Sequence, residues 1–80
     1  MTFFETVKNS VTVKQAAEHY GCKVNRGDMI CCPFHDDRHP SMKLNEDYFY
    51  CFGCGTTGDV IDFVARLFGL SSYEAAKKLA

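Results

Sequence analysis

CCPFHDDRHPSMKLNEDYFYCFGC, residues 31–54, holds four of the chain's five cysteines and two of its three histidines. Two pairs within it share one spacing. Cys32 and His35 enclose two residues, as do Cys51 and Cys54, and Asp36 to Tyr50 lie between the pairs. A tight turn brings both members of such a pair to one point, and two turns on neighbouring hairpins complete a tetrahedron. Three thiolates and one imidazole suit zinc, and four protein ligands leave no position open for water. The spacing therefore predicts one structural zinc held by Cys32, His35, Cys51 and Cys54.

Other readings of the cysteines stand beside it. Single thiols are often buried without a ligand, Cys51 and Cys54 have the spacing of a redox pair, and thiolate-rich sites also take iron–sulfur clusters. Cys31 points away from Cys32 if the segment is extended, which predicts a core thiol. His39 reads as a polar surface contact and His19 as a solvated residue within a helix.

Working outward, Met42–Leu44 and Tyr48–Cys51 read as strands joined by a polar turn, Asn45-Glu46-Asp47. Asn25-Arg26-Gly27-Asp28 has turn chemistry, which predicts that Met29–Cys31 returns antiparallel to Cys22–Val24. Thr12 and Gln15 form a capping box for a helix over about 12–20, with Val13, Ala16, Ala17 and Tyr20 as its inner stripe and Gly21 as its stop. A helical turn over Phe3–Val7 precedes it, with Phe3, Phe4 and Val7 inward. After a loop from Gly53 to Gly58, Asp59 caps a helix over about 59–68 whose Val60, Ile61, Phe63, Val64, Leu67 and Phe68 recur at helical spacing. Ser71 and Glu74 open another over about 72–80. The expected fold is α+β: residues 1–80 as one domain, a small zinc-ribbon-like antiparallel sheet over about 22–54 flanked by helices.

Eighty residues bury only about 60–65% of the surface of the unfolded chain, so a metal staple fits the size. Zinc binding supplies on the order of 10 kcal/mol of folding free energy. No apolar run approaches the roughly 20 residues that span a bilayer, and the first residues form neither a basic leader nor an apolar signal core. A cytoplasmic protein with reduced thiols is expected, and disulfides are not. The formal net charge is −1. Three protons lost against one dication make the zinc-loaded domain one unit more negative, so any attraction to nucleic acid has to come from a local patch.

Cys32-Pro33-Phe34-His35, Asp37-Arg38, Pro40-Ser41, Phe49, Cys51-Phe52-Gly53-Cys54-Gly55 and Gly58-Asp59 together resemble the zinc-binding domain at the N-terminus of bacterial and phage DNA primases. The helix before Gly21 and the final Glu74–Ala80 segment fit as well, so the likeness covers nearly the whole chain. It implies a zinc-ribbon sheet flanked by helices, contact with single-stranded template DNA, and selection of the site where an RNA primer begins. It also implies that polymerisation belongs to a separate magnesium-binding domain, so this chain binds and does not catalyse. A primase catalytic domain and a replicative helicase are the implied protein partners, and no membrane is. The family usually has a small hydroxyl residue at His39, an aromatic at Met42, and a lysine where Glu46 and Asp47 stand. Those departures bear on nucleic-acid contact and leave the metal ligands alone.

A single strand is held by cations and by rings on which bases stack. Alternation along the aromatic strand puts Tyr48 and Tyr50 on one face and Phe49 and Cys51 on the other. Lys43, Arg38 and Arg26 lie within reach of the Tyr48–Tyr50 face, with Lys23 near Arg26. The plainer reading makes the tyrosines a core beneath a helix and the cations a solvated surface, as it does Lys77 and Lys78. The alternative function is a zinc-stabilised protein-interaction module in a replication or mobile-element protein. A redox-active zinc thiolate ranks last, since the site is closed.

Overall fold

The computed structural model describes residues 2–34 and 39–79. Four helices and one four-stranded antiparallel sheet make up the fold. α1 (Phe3–Ser10) starts at Thr2, whose hydroxyl accepts the Glu5 amide at 3.1 Å. α2 (Val13–His19) has the reciprocal capping box: the Gln15 amide donates to Thr12 Oγ1 at 3.0 Å, and the Thr12 amide to Gln15 Oε1 at 2.9 Å. α3 (Val60–Phe68) opens with a second reciprocal box between Asp59 and Asp62, and Gly69 closes it in the left-handed conformation. Ser71 and Glu74 exchange the same pair of bonds at the start of α4 (Ser72–Leu79). Each box satisfies amides that a helix start would otherwise leave open.

The sheet is a meander in the order β1 (Met29–Cys31), β2 (Pro40–Leu44), β3 (Phe49–Cys51) and β4 (Thr57–Gly58). Ile30 pairs with Met42, Leu44 with Phe49, and Met42 with Cys51. These five residues are buried and form the inner face. Across from them lie Val60, Ile61, Phe63 and Val64 of α3, with Val7, Val13, Ala16, Ala17, Ala75 and Ala76 from the other helices completing the core. Phe34, Phe49 and Phe63 form a ring triad with centroids 5.6–5.8 Å apart, a spacing at which aromatic edges and faces attract.

Four expectations are corrected. Met29–Cys31 pairs with Pro40–Leu44 and not with Cys22–Val24, which forms no strand. The turn between them exists, but Asn25 Oδ1 accepts the amides of Gly27 and Met29, and this knot turns the chain toward β2. Phe3 lies largely exposed, its ring 6.0 Å from that of Tyr73. Of the α3 stripe, Leu67 is half-buried and Phe68 exposed, its ring edge-on to Tyr20 at 5.0 Å. Cys31 is exposed, not core: it lies on the side of β1 opposite buried Ile30, which is the side turned from the interior.

A fifth difference is β4, which falls within the loop expected from Gly53 to Gly58. Its two residues pair with Phe49 and Tyr50, and the Thr57 hydroxyl donates to the Phe49 carbonyl at 2.7 Å. Here the sheet runs directly into α3, and Gly58 lies against Asp62 so closely that a Cβ would stand 2.6 Å from the Asp62 Cβ. Lys8 of α1 bonds Asp59 at 2.9 Å and ties the first helix to this junction.

Candidate metal centre and outer sheet face

Cys32 follows β1, Cys51 ends β3, and Cys54 lies in the turn leading to β4. Their sulfurs all lie within 4.8 Å of one another, and those of Cys32 and Cys54 are 3.9 Å apart. A regular tetrahedron with zinc–sulfur bonds of about 2.3 Å has sulfurs about 3.8 Å apart. The cluster therefore fits one zinc ion. His35, the expected fourth ligand, lies outside the described residues, as does Arg38.

Electrostatics support the same fit. Burial pushes the Cys32 thiol up to about 12, against the opposing effect of the Phe34 amide. Burial also disfavours the Cys51 thiolate, yet the Ser41 hydroxyl and the amides of Cys54 and Gly53 outweigh it and bring the thiol down to about 7. The Thr56 hydroxyl, 3.0 Å away, and the Thr56 amide lower the Cys54 thiol. Amides two residues on from each cysteine thus favour its thiolate, which is what the tight turns accomplish. Gly55, at φ +76°, allows the chain to leave Cys54 in this way. Three thiolates this close repel one another, and a cation between them removes the conflict. Cys22 and Cys31 are outside the cluster.

The other side of the same sheet is different in kind. Phe49 and Cys51 are buried while Tyr48, Tyr50 and Phe52 are 51%, 39% and 70% exposed. Lys43 stands opposite Tyr50 in the register, and Tyr50 meets Phe52 edge to face at 5.0 Å. Lys43, Asn45, Tyr48, Tyr50 and Phe52 line an open groove of about 360 Å³. The Lys43 ammonium donates to the Gly27 carbonyl at 2.6 Å, which tethers the turn carrying exposed Arg26 beside this strand. In the sequence Phe52 stands as part of the cysteine knuckle. Its place two residues beyond Tyr50 was the available signal that it continues the outward row. His39 and His19 are both exposed, and His19 is the last residue of α2.

The chain matches the CHC2 zinc finger family over residues 1–80. A DNA primase of Helicobacter pylori is 38% identical over 78 residues, covering 95% of this chain and 12% of that protein. A DNA primase of Rickettsia felis is 35% identical over 82 residues, covering 98% of this chain and 14% of its own length. Among solved structures, the Aquifex aeolicus primase, with its zinc-binding and RNA polymerase domains, superposes on the whole of this chain with a TM-score of 0.83 at 30% identity, over 21% of its own chain. The chain thus spans about an eighth of the length of the curated relatives it matches.

Proposed function

The chain belongs to the CHC2 zinc finger family of DNA primases, and on that footing we propose that it is a zinc-stapled module that holds single-stranded template DNA for a primase-type replication protein, with no chemistry of its own. Cys32, Cys51 and Cys54, joined by His35, are the metal ligands. The ion, when bound, supplies a cross-link between two separate stretches of backbone, 32–35 and 51–54. Template is held by Tyr48, Tyr50 and Phe52 as stacking surfaces and by Lys43, Arg26 and Arg38 at phosphates. Primer synthesis itself belongs to another domain of such a protein.

The observation that carries this reading is the row of three exposed rings, Tyr50 on β3 with Tyr48 and Phe52 flanking it. A chain this small gains little by leaving Tyr48, Tyr50 and Phe52 in water, and a face of rings beside a cation is what a flexible strand of bases can use. Exposed Glu46 and Asp47 at the hairpin tip, and the net charge of −1, make the binding weak and salt-sensitive. A single strand loses affinity with a log–log slope of about −0.7 per neutralised phosphate, so three cations give a slope near −2.

The test is a titration of zinc-loaded protein with short single-stranded oligonucleotides at several salt concentrations, followed by fluorescence anisotropy. Each base stack is worth about 1–3 kcal/mol, so Phe52→Ala and Tyr50→Ala each weaken binding by about 5- to 150-fold. Lys43→Glu flattens the salt slope. No binding at low salt by protein shown to retain its zinc refutes the template reading.

A second reading has its own observation. Phe3, Phe68 and Tyr73 are 42%, 45% and 57% exposed on the helical side, with Lys78 4.8 Å from the centre of the Phe68 ring. Exposed rings of this kind, Phe3 beside Tyr73 and Phe68 beside Tyr20, suit docking to a protein partner, a catalytic domain or a replicative helicase. Co-migration of the isolated module with either partner, abolished by Phe68→Glu, is the outcome that favours it.

A further inference from the structure

We infer that Thr56 is a positioning residue of the metal centre: its hydroxyl steadies the sulfur of Cys54, the exposed member of the described cluster, and blunts that sulfur's reactivity. The inference rests on Cys54 being a zinc ligand and is independent of template binding.

Cys32 and Cys51 are buried, whereas Cys54 is exposed. Small electrophiles therefore reach the cluster at Cys54. Beside that sulfur stands the Thr56 hydroxyl, 3.0 Å away, closer than the 3.6 Å between the Ser41 hydroxyl and the Cys51 sulfur. The Thr56 amide interacts with the same Cys54 sulfur. A free thiol and a hydroxyl can each donate, but a metal takes the thiolate, which only accepts. With zinc in place Thr56 is the donor.

The backbone puts the hydroxyl there. The Cys51 amide donates to the Thr56 carbonyl and the Gly55 amide to the Cys51 carbonyl, both at 2.8 Å. The turn that brings Cys51 and Cys54 together thus fixes Thr56 as well, and a β-branched side chain has few rotamers to choose from. The next residue shows the contrast. The Thr57 hydroxyl donates to the Phe49 carbonyl at 2.7 Å and serves the sheet. Two successive threonines have separate tasks.

A donor aimed at a thiolate has two consequences. It favours the ionised sulfur that the ion takes, and groups in this outer position are worth about 10- to 100-fold in metal affinity. It also lowers the basicity of the sulfur, and a thiolate's nucleophilicity falls with its basicity. The most accessible corner of the cluster is the one given a close, fixed hydroxyl.

The experiment uses the zinc-loaded full chain with Thr56→Val, which keeps the shape and removes the hydroxyl, Thr56→Ser, which keeps the hydroxyl, and Thr57→Val as control. Chelator competition gives zinc affinity. N-ethylmaleimide at saturating zinc, followed by peptide mass spectrometry, gives the rate at Cys54 relative to Cys31, the exposed thiol outside the cluster. In that reaction the sulfur's electron pair adds to the maleimide double bond and a ring carbon takes a proton from water. Thr56→Val is expected to lower zinc affinity by about 10- to 100-fold and to raise the relative Cys54 rate by about 3- to 13-fold. Thr56→Ser stays near the wild type in both, and Thr57→Val leaves the Cys54 rate near the wild type while lowering the melting temperature. An affinity or a Cys54 rate unchanged in Thr56→Val, or a Thr56→Ser that behaves as the valine variant does, overturns the inference. If circular dichroism shows Thr56→Val unfolded, Thr56→Ala is read in its place by the same outcomes. Wild-type protein without stoichiometric zinc by elemental analysis overturns the ligand assignment beneath it.

Discussion

Replacing Gly58 by alanine tests how β4 is joined to α3. The new methyl carbon would lie 2.6 Å from the Asp62 Cβ and 2.8 Å from Asp62 Oδ2, where carbons in contact prefer about 3.5–4.0 Å. About an ångström must therefore be found, and the Cβ of a helical residue moves only with its backbone. Overpacking of this kind costs about 1–3 kcal/mol. Shifting the start of α3 also strains the bonds from the Asp62 amide to Asp59 Oδ1 at 2.9 Å and from the Asp59 amide to Asp62 Oδ2 at 3.1 Å, for about a further 1 kcal/mol. Alanine returns about 0.4–1 kcal/mol by restricting the unfolded chain. The net loss is about 1–3.6 kcal/mol. At about 4–8 °C per kcal/mol for a domain of this size, zinc-loaded Gly58→Ala melts about 4–29 °C below the wild type by circular dichroism at saturating zinc. Asp62→Ala added to it gives no rescue, because the clashing Cβ stays. A melting temperature within about 2 °C of the wild type refutes the close-approach argument.

Three further outcomes follow from the metal cluster and the core. Cys54→Ser lowers bound zinc well below one equivalent by elemental analysis, while Cys31→Ser, outside the cluster, keeps one equivalent; equal losses would dissolve the distinction between the two cysteines. Zinc affinity rises with pH near neutrality, because the ion takes thiolates and Cys32 is pushed up to about 12, even though Cys51 is drawn down to about 7 and Thr56 lowers Cys54 as well. Protons therefore leave on binding, and a chelator competition showing a slope of log affinity against pH below about one speaks against that account. Phe49→Ala empties the centre of the ring triad and costs about 3–5 kcal/mol, enough to broaden or abolish cooperative melting even with zinc present; a sharp transition near the wild-type temperature would show the triad to be dispensable.

The parts of the fold that were legible in the sequence are those decided locally. The reciprocal helix starts at Thr12 and Ser71 and the cap at Asp59 depend on residues three apart and are legible in the sequence, whereas the return bond from Asp62 to Asp59 is seen only in the structure. The alternation from Tyr48 to Cys51 is legible as well, because a strand with one buried face writes its period into the residue types. The partner of β1 was not legible, since strand pairing is a long-range choice and the Asn25 side chain redirected the chain. β4 is two residues long, too short to carry any period. At the metal centre, spacing alone drew Cys32, Cys51 and Cys54 together. The outward place of Phe52 is masked in the sequence by the cysteines near it, which already account for a turn there.

In β3 three successive residues answer to three different demands: Phe49 fills the interior, Tyr50 faces outward, and Cys51 reaches the sulfur cluster. A slip of one position would turn each to the wrong side at once. Length changes within this strand should therefore be lethal to the module, whereas the hairpin tip at Glu46 and Asp47 can gain or lose residues without disturbing either face. Variation among such modules would then be written in that tip and in the outward side chains, over a frame whose count of residues cannot drift.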